Sequence, residues 1–200
     1  MVYSAIILAA GKGTRYKGKK QDIIFNGKSL WENVLETTEK VIDRSHIVVV
    51  GKDIDGGNTR TESVWEGLKS IPVDTDRVII LEAARPLVTK MQILTLLEDG
   101  DASTTFVRPL VNTVVYRDGT YINRDELCEL LTPQAFDYKL LYDAFSSGKF
   151  RDVTDETRIM FEYHGIKPHF IFAGENLFKV TYPGDLEVVE SIYKKMNERS

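Results

Sequence analysis

The chain has 200 residues, of which 42% are hydrophobic and 28% charged, with a formal net charge of −4. That is one domain's length with enough apolar residues for a core, no apolar run reaches the ~20 residues of a membrane span, and the acidic balance argues against a nucleic-acid partner. The opening residues lack the basic, apolar, small order of a secretory signal, and Cys128 is the only cysteine, so no intrachain disulfide can form and a cytoplasmic setting is expected.

Ile6–Ala9 is an apolar run that predicts a strand buried on both faces. It empties into a loop where three glycines and five cations (Lys12, Arg15, Lys17, Lys19, Lys20) fall between Gly11 and Lys20. Glycine lets backbone N–H groups approach a ligand, and cations beside such a loop suit a polyphosphate. Ser29 and Glu32 have capping-box spacing and open a helix with Leu30, Val34, Leu35 and Val41 as its apolar stripe. Ile47–Val50 predicts a second strand. Thr59 with Glu62 marks a helix carrying Val64 and Leu68, and Val78–Leu81 predicts a third strand. Thr89 with Gln92 marks a helix carrying Ile93, Leu94 and Leu97.

The rhythm then breaks. Val111–Tyr116 and Thr120–Ile122 flank Arg117-Asp118-Gly119, which predicts an antiparallel hairpin arm over about 109–125. A helix is expected near Tyr138–Ser146, strands near His169–Phe172 and Phe178–Thr181, and a last helix from Asp185 to about Met196. Strands alternating with helices predict an α/β, Rossmann-like fold: a mostly parallel sheet with helices on both faces, plus the β-arm, in a single domain over 1–200.

In open α/β sheets, ligands gather beyond the carboxyl ends of the strands. Three clusters fall there: the first loop, Gly56-Gly57 with Arg60, and Glu82–Pro86. His46, His164 and His169 lack metal-ligand spacing. The dinucleotide fingerprint fails, because Tyr16 stands where its third glycine belongs. A phosphate-binding P-loop is a nearer miss over Gly13–Lys20, but Lys20 replaces the hydroxyl that would ligate Mg²⁺.

Six ordered blocks carry more information. They are Ala9-Ala10-Gly11 with Gly13, Arg15 and Lys20-Gln21; Gly56-Gly57-Asn58-Thr59-Arg60-Thr61-Glu62-Ser63-Val64 with Gly67-Leu68; Ala83-Ala84-Arg85-Pro86; Thr132-Pro133-Gln134-Ala135-Phe136; Thr154-Asp155-Glu156; and Lys179-Val180-Thr181 with Asp185-Leu186. In this order they resemble the 2-C-methyl-D-erythritol 4-phosphate cytidylyltransferase family and its alditol-phosphate relatives, such as ribitol 5-phosphate cytidylyltransferases.

The resemblance implies a nucleotidyltransferase-type fold and transfer of CMP from CTP to an alditol phosphate, with release of pyrophosphate. Methylerythritol phosphate, in isoprenoid synthesis, is the expected acceptor. By the same resemblance Arg15, Lys20 and Lys179 are catalytic. Ala9, Ala10, Gly11, Gly13, Gly56, Gly57, Arg60, Ser63 and Arg85 bind the nucleotide, and Thr113, Arg124 and Thr132 bind the acceptor. Mg²⁺ is the expected cofactor with Glu82 as its carboxylate, and Asp185 is either a second carboxylate or a helix cap. The arm implies a homodimer.

The sequence departs from the family at Leu81-Glu82 in place of His-Asp, at Asn112 in place of Asp, and in a shortened stretch after Val50. Three other readings stay open on sequence: a different alditol phosphate, a sugar-1-phosphate nucleotidyltransferase using UTP or dTTP, and a CTP-binding protein that has lost catalysis.

Overall fold

A computed structural model describes residues 1–16 and 18–198; Lys17, one of the five loop cations, lies outside the described residues. In chain order the elements are β1 (Tyr3–Leu8), β2 (Ile24–Phe25), β3 (Lys28–Ser29), α1 (Leu30–Glu39), β4 (Ile47–Val50), α2 (Arg60–Ser70), β5 (Arg77–Glu82), α3 (Lys90–Glu98), β6 (Ser103–Pro109), β7 (Cys128–Asp137), α4 (Tyr138–Ser146), α5 (Glu156–His164), β8 (His169–Phe172) and α6 (Asp185–Glu198). The main sheet runs β4-β1-β5-β7-β6-β8, and β2 pairs with β3 alone. β7 is antiparallel to both its neighbours, and the other five strands share one direction.

Side chains of a strand alternate between faces. Ala5 and Ile7 of β1 therefore join the core under α1 and α3, with Val34, Ile93 and Leu97. Ile6 joins the opposite core under α2, α4 and α5, with Val64, Leu68, Leu141 and Ile159. Burying such a side chain contributes about 1.5–3 kcal/mol over leaving it exposed. α6 closes one flank, where Val189 packs with Phe25, Leu30 and Val180.

Local signals set the helix starts. The Ser29 hydroxyl accepts from Glu32 N, and Ser29 N donates to Glu32 Oε2 at 2.7 Å. Thr89 and Gln92 repeat the exchange. Thr59 accepts from Glu62 N at 3.1 Å, but the Glu62 carboxylate takes Asn58 N instead of its own cap. Asp185 Oδ2 accepts from Thr181 N and Tyr182 N, so it fastens the start of α6.

Several expectations need correction. The Phe178–Thr181 segment is no strand: it crosses the end of β5, held by Val180 N donating to Ala84 O at 2.8 Å. The arm is a hairpin only around one bridge, Val115 to Tyr121. Val41 lies past the end of α1, and Ala9 past the end of β1. β6, β7 and α5 add to the expected elements. β7 contains Pro133, which ordinarily speaks against a central strand. Here Thr105 faces Gln134 while Phe106 faces Leu131, so Thr132 and Pro133 form a bulge with no ladder partner to supply.

Candidate active site

A cleft of about 400 Å³ opens where β1 and β5 end. Its walls come from the first loop, the start of α2, the residues after β5, and Lys179. This is the position that an open α/β sheet offers a ligand.

The first loop turns back at Gly13, whose φ of +60° is left-handed. A Cβ there would fall 1.7 Å from Gly18 O. Gly13 O accepts from Tyr16 N and Gly18 N, which fixes the bend and leaves Lys12, Thr14 and Arg15 at the cleft. Lys20 Nζ donates to Val180 O at 3.0 Å, joining this loop to the C-terminal segment.

The second wall is built by close approach. A Cβ on Gly56 would lie 2.3 Å from Ala10 Cβ, so only glycine lets the turn press against the cleft floor. Gly57 N donates to Ser63 Oγ at 3.1 Å, and Ser63 Oγ donates to Thr59 O at 3.0 Å. The Ser63 hydroxyl thus shapes the loop that faces the cleft.

Charge is concentrated at Glu82. Its Oε2 pairs with Lys179 Nζ, and its Oε1 lies 3.6 Å from Arg60 Nε. Burial on its own would raise this carboxyl, but Lys179, Arg60 and Arg85 outweigh burial and hold it down at about 2. Lys20 is lowered, first by burial and then by repulsion from Lys179, Arg15 and Arg85 against the pull of Glu82. Arg60 Nη1 also donates to Glu156 Oε1. Burial opposes the Arg60 charge, yet Glu156 and Glu82 more than offset it and raise its pKa.

The cleft gathers ten of the expected residues: Ala9, Ala10, Gly11, Arg15, Lys20, Gly57, Arg60, Ser63, Glu82 and Lys179. Gly13 and Gly56 support it from behind. Arg85 and Thr132 do not line it. Both are buried, Arg85 Nε donates to Thr132 Oγ1 at 2.9 Å, and Arg85 Nη1 donates to Leu177 O. Thr113 and Arg124 are exposed on the arm, with Arg124 Nη1 donating to Val111 O. Sequence reasoning names Lys12 only among the loop cations and gives no site role to Thr14, Asn58 and Thr59, which also line the cleft, nor to Glu156 as the partner of Arg60. Only the Thr154-Asp155-Glu156 block pointed to that carboxylate.

An ionised, basic cleft of this kind fits a polyanion, and comparison with known proteins agrees. The family model for 2-C-methyl-D-erythritol 4-phosphate cytidylyltransferase (IspD) matches residues 3–195. A Clostridium botulinum 2-C-methyl-D-erythritol 4-phosphate cytidylyltransferase is 30% identical across 96% of this chain and 98% of its own length. The Haemophilus influenzae protein of the same name is also 30% identical, across 93% and 94%. Among solved structures, the 4-diphosphocytidyl-2C-methyl-D-erythritol synthase of Anaerococcus prevotii superposes with a TM-score of 0.80 at 25% identity, over 96% of this chain and 98% of that one. The bifunctional IspDF of Campylobacter jejuni superposes with a TM-score of 0.81 at 28% identity, over 94% of this chain and 54% of that one. With the fold, the ordered blocks and a matching family model over nearly its whole length, the chain belongs to the 2-C-methyl-D-erythritol 4-phosphate cytidylyltransferase family.

Proposed function

We propose that the cleft transfers CMP from CTP to 2-C-methyl-D-erythritol 4-phosphate and releases pyrophosphate, a step of isoprenoid synthesis. The observation that carries this reading is the convergence of Arg15, Lys20 and Lys179 on one cleft in a chain whose full-length relatives bear that name. An acceptor phosphate oxygen forms a bond to the α-phosphorus, and the bond from that phosphorus to pyrophosphate breaks. Two anions meet, so positioning and charge neutralisation are the protein's main tasks. Arg15 and Lys20 face the triphosphate, and Lys179 faces the transferred group.

Mg²⁺ is part of the same proposal. Glu82 is an oxygen donor that stays ionised, which suits a hard cation shared between one carboxylate and substrate phosphates. When bound, the ion would offset triphosphate charge. Glu82 is one methylene longer than the family's Asp and already pairs with Lys179.

A homodimer is likewise proposed. Val111, Val115, Tyr116 and Tyr121 are exposed large apolar side chains on the arm, and Thr113 and Arg124 stand away from their own chain's cleft. An arm reaching a second copy would bring those two residues to an acceptor. Among the described residues no helix is long and apolar enough to cross a membrane. The free thiol of Cys128 supports a cytoplasmic setting.

The test is pyrophosphate release with Mg²⁺, crossing four NTPs against methylerythritol phosphate, ribitol 5-phosphate, glycerol 3-phosphate and hexose 1-phosphates. Release with CTP and methylerythritol phosphate alone supports the proposal. Release with CTP and another alditol phosphate reassigns the acceptor. UTP or dTTP with a hexose phosphate overturns it, as does silence across the panel while CTP still binds.

A further inference from the structure

Arg60 is the first residue of α2, where the helix dipole disfavours a cation. Its guanidinium lies between two carboxylates from different elements, Glu82 at the end of β5 and Glu156 at the start of α5. The two contacts differ. Nη1 hydrogen-bonds Glu156 Oε1, whereas Nε is 3.6 Å from Glu82 Oε1, beyond hydrogen-bond reach. The other Glu82 oxygen holds Lys179.

Glu156 is fully buried, and among the described residues its Oε2 has no hydrogen-bond partner. Stability alone gives little reason for such a group, since a packed apolar side chain commonly serves as well as a buried ion pair. Glu156 is also rigidly placed. Asp155 caps α5 by accepting from Thr157 N at 2.9 Å, and its other oxygen accepts from Gln134 Nε2 of β7 at 2.7 Å.

We propose that Glu156 is a positioning residue: it draws Arg60 away from Glu82, so that Glu82 remains the partner of Lys179 and fixes that lysine at the cleft wall. Without the pull from Glu156, Arg60 is free to turn its two parallel N–H groups onto Glu82, the favoured geometry of an arginine–carboxylate pair, and Lys179 loses its anchor. The kinetic consequence rests on the transferase reading above; the geometric consequence does not.

The experiment uses the full chain carrying Glu156→Met, which removes charge and acceptor, and Glu156→Gln, which keeps an acceptor. Crystal structures of both are compared with the parent, and steady-state rates are measured per folded molecule with CTP and methylerythritol phosphate. In Glu156→Met, Arg60 moves onto Glu82, Lys179 leaves it, and kcat falls about a hundredfold, the scale of a small displacement of a reacting group. The CTP KM changes by less than about threefold, because the loss falls on the transition state. Glu156→Gln is intermediate. In an Arg60→Met background, Glu156→Met costs no further kcat, since both act through one guanidinium. Arg60 staying in place overturns the proposal, as does a rise in KM with kcat unchanged, or additive losses in the double variant. If the parent releases no pyrophosphate with any acceptor, the transferase reading fails, and the position of Arg60 in the crystals still decides the proposal.

Discussion

Arg85 Nε donates to Thr132 Oγ1 at 2.9 Å, and both side chains are buried. The pair clips the segment after β5 to the bulge of β7, and Arg85 Nη1 extends the clip to Leu177 O. Two residues expected to grip ligands thus join neighbouring elements. Thr132→Val keeps the shape and removes the hydroxyl. Losing a hydrogen bond to a charged group costs about 1.5–3 kcal/mol, so the urea midpoint falls with an unchanged slope. An unaltered midpoint shows that the bond between them does not stabilise the fold.

Lys20 is held against its preference. Its lowered pKa means that the folded state disfavours its charge, chiefly through burial and then through Lys179. Lys20→Met relieves that penalty and removes a cation of the cleft that the proposed function turns toward the triphosphate. Turnover falls at least about a hundredfold, the scale of a lost electrostatic stabiliser, while the melting temperature holds or rises. Calorimetry and pyrophosphate release on one preparation check both halves. A variant that melts earlier shows that the lost bond to Val180 O outweighs the relieved burial penalty.

Glu82 behaves in the opposite sense. Its folded pKa is about 2, below the ordinary 4.5, so its contribution is present above pH 4.5 and fades as the pH falls toward 2. The contribution is at most about 3 kcal/mol, from the shift between the two values. Glu82→Gln removes it, so stability measured from pH 6 to 2 declines less steeply than in the parent. Parallel curves for the two proteins would exclude the Lys179 and Arg60 pairs as its cause.

The contact between Gly56 and Ala10 makes a paired prediction. Gly56→Ala forces a Cβ to 2.3 Å from Ala10 Cβ and pushes that residue into the cleft. Overpacking of this kind costs about 1–3 kcal/mol, visible as a lower melting temperature and weaker CTP binding by calorimetry. Adding Ala10→Gly removes the clashing methyl and restores most of both, the tight approach to Ser63 Oγ at 3.1 Å remaining. Failure of that second change to rescue binding locates the damage elsewhere.

Much of the fold could be read from the chain because its signals are local. β4 is wholly apolar, β1 and β5 carry the unbroken apolar runs Ala5–Leu8 and Val78–Leu81, and the caps at Ser29 and Thr89 lie three residues from their partners. β6 was hidden because Ser103, Thr104 and Thr105 are polar yet fully buried. β7 was hidden by Pro133, which only its bulge makes tolerable. In α5 the apolar buried residues are the adjacent pair Ile159 and Met160, too few to show a helical period. At the site, residue types were legible and contacts were not. Lys179 meets Glu82, and Arg60 meets Glu156 across 96 positions, and no spacing rule encodes such pairs.

The hydrogen bond from Lys20 to Val180 joins residues 160 apart in the chain, and the Lys179–Glu82 pair lies beside it. Translation at roughly 5–20 residues per second separates the two ends by about 8–32 s. A nascent chain acquires β1, β4, β5 and its basic loop long before the segment that anchors them. The cleft is therefore assembled last, and a ribosome stalled before position 179 carries a growing sheet without a working centre.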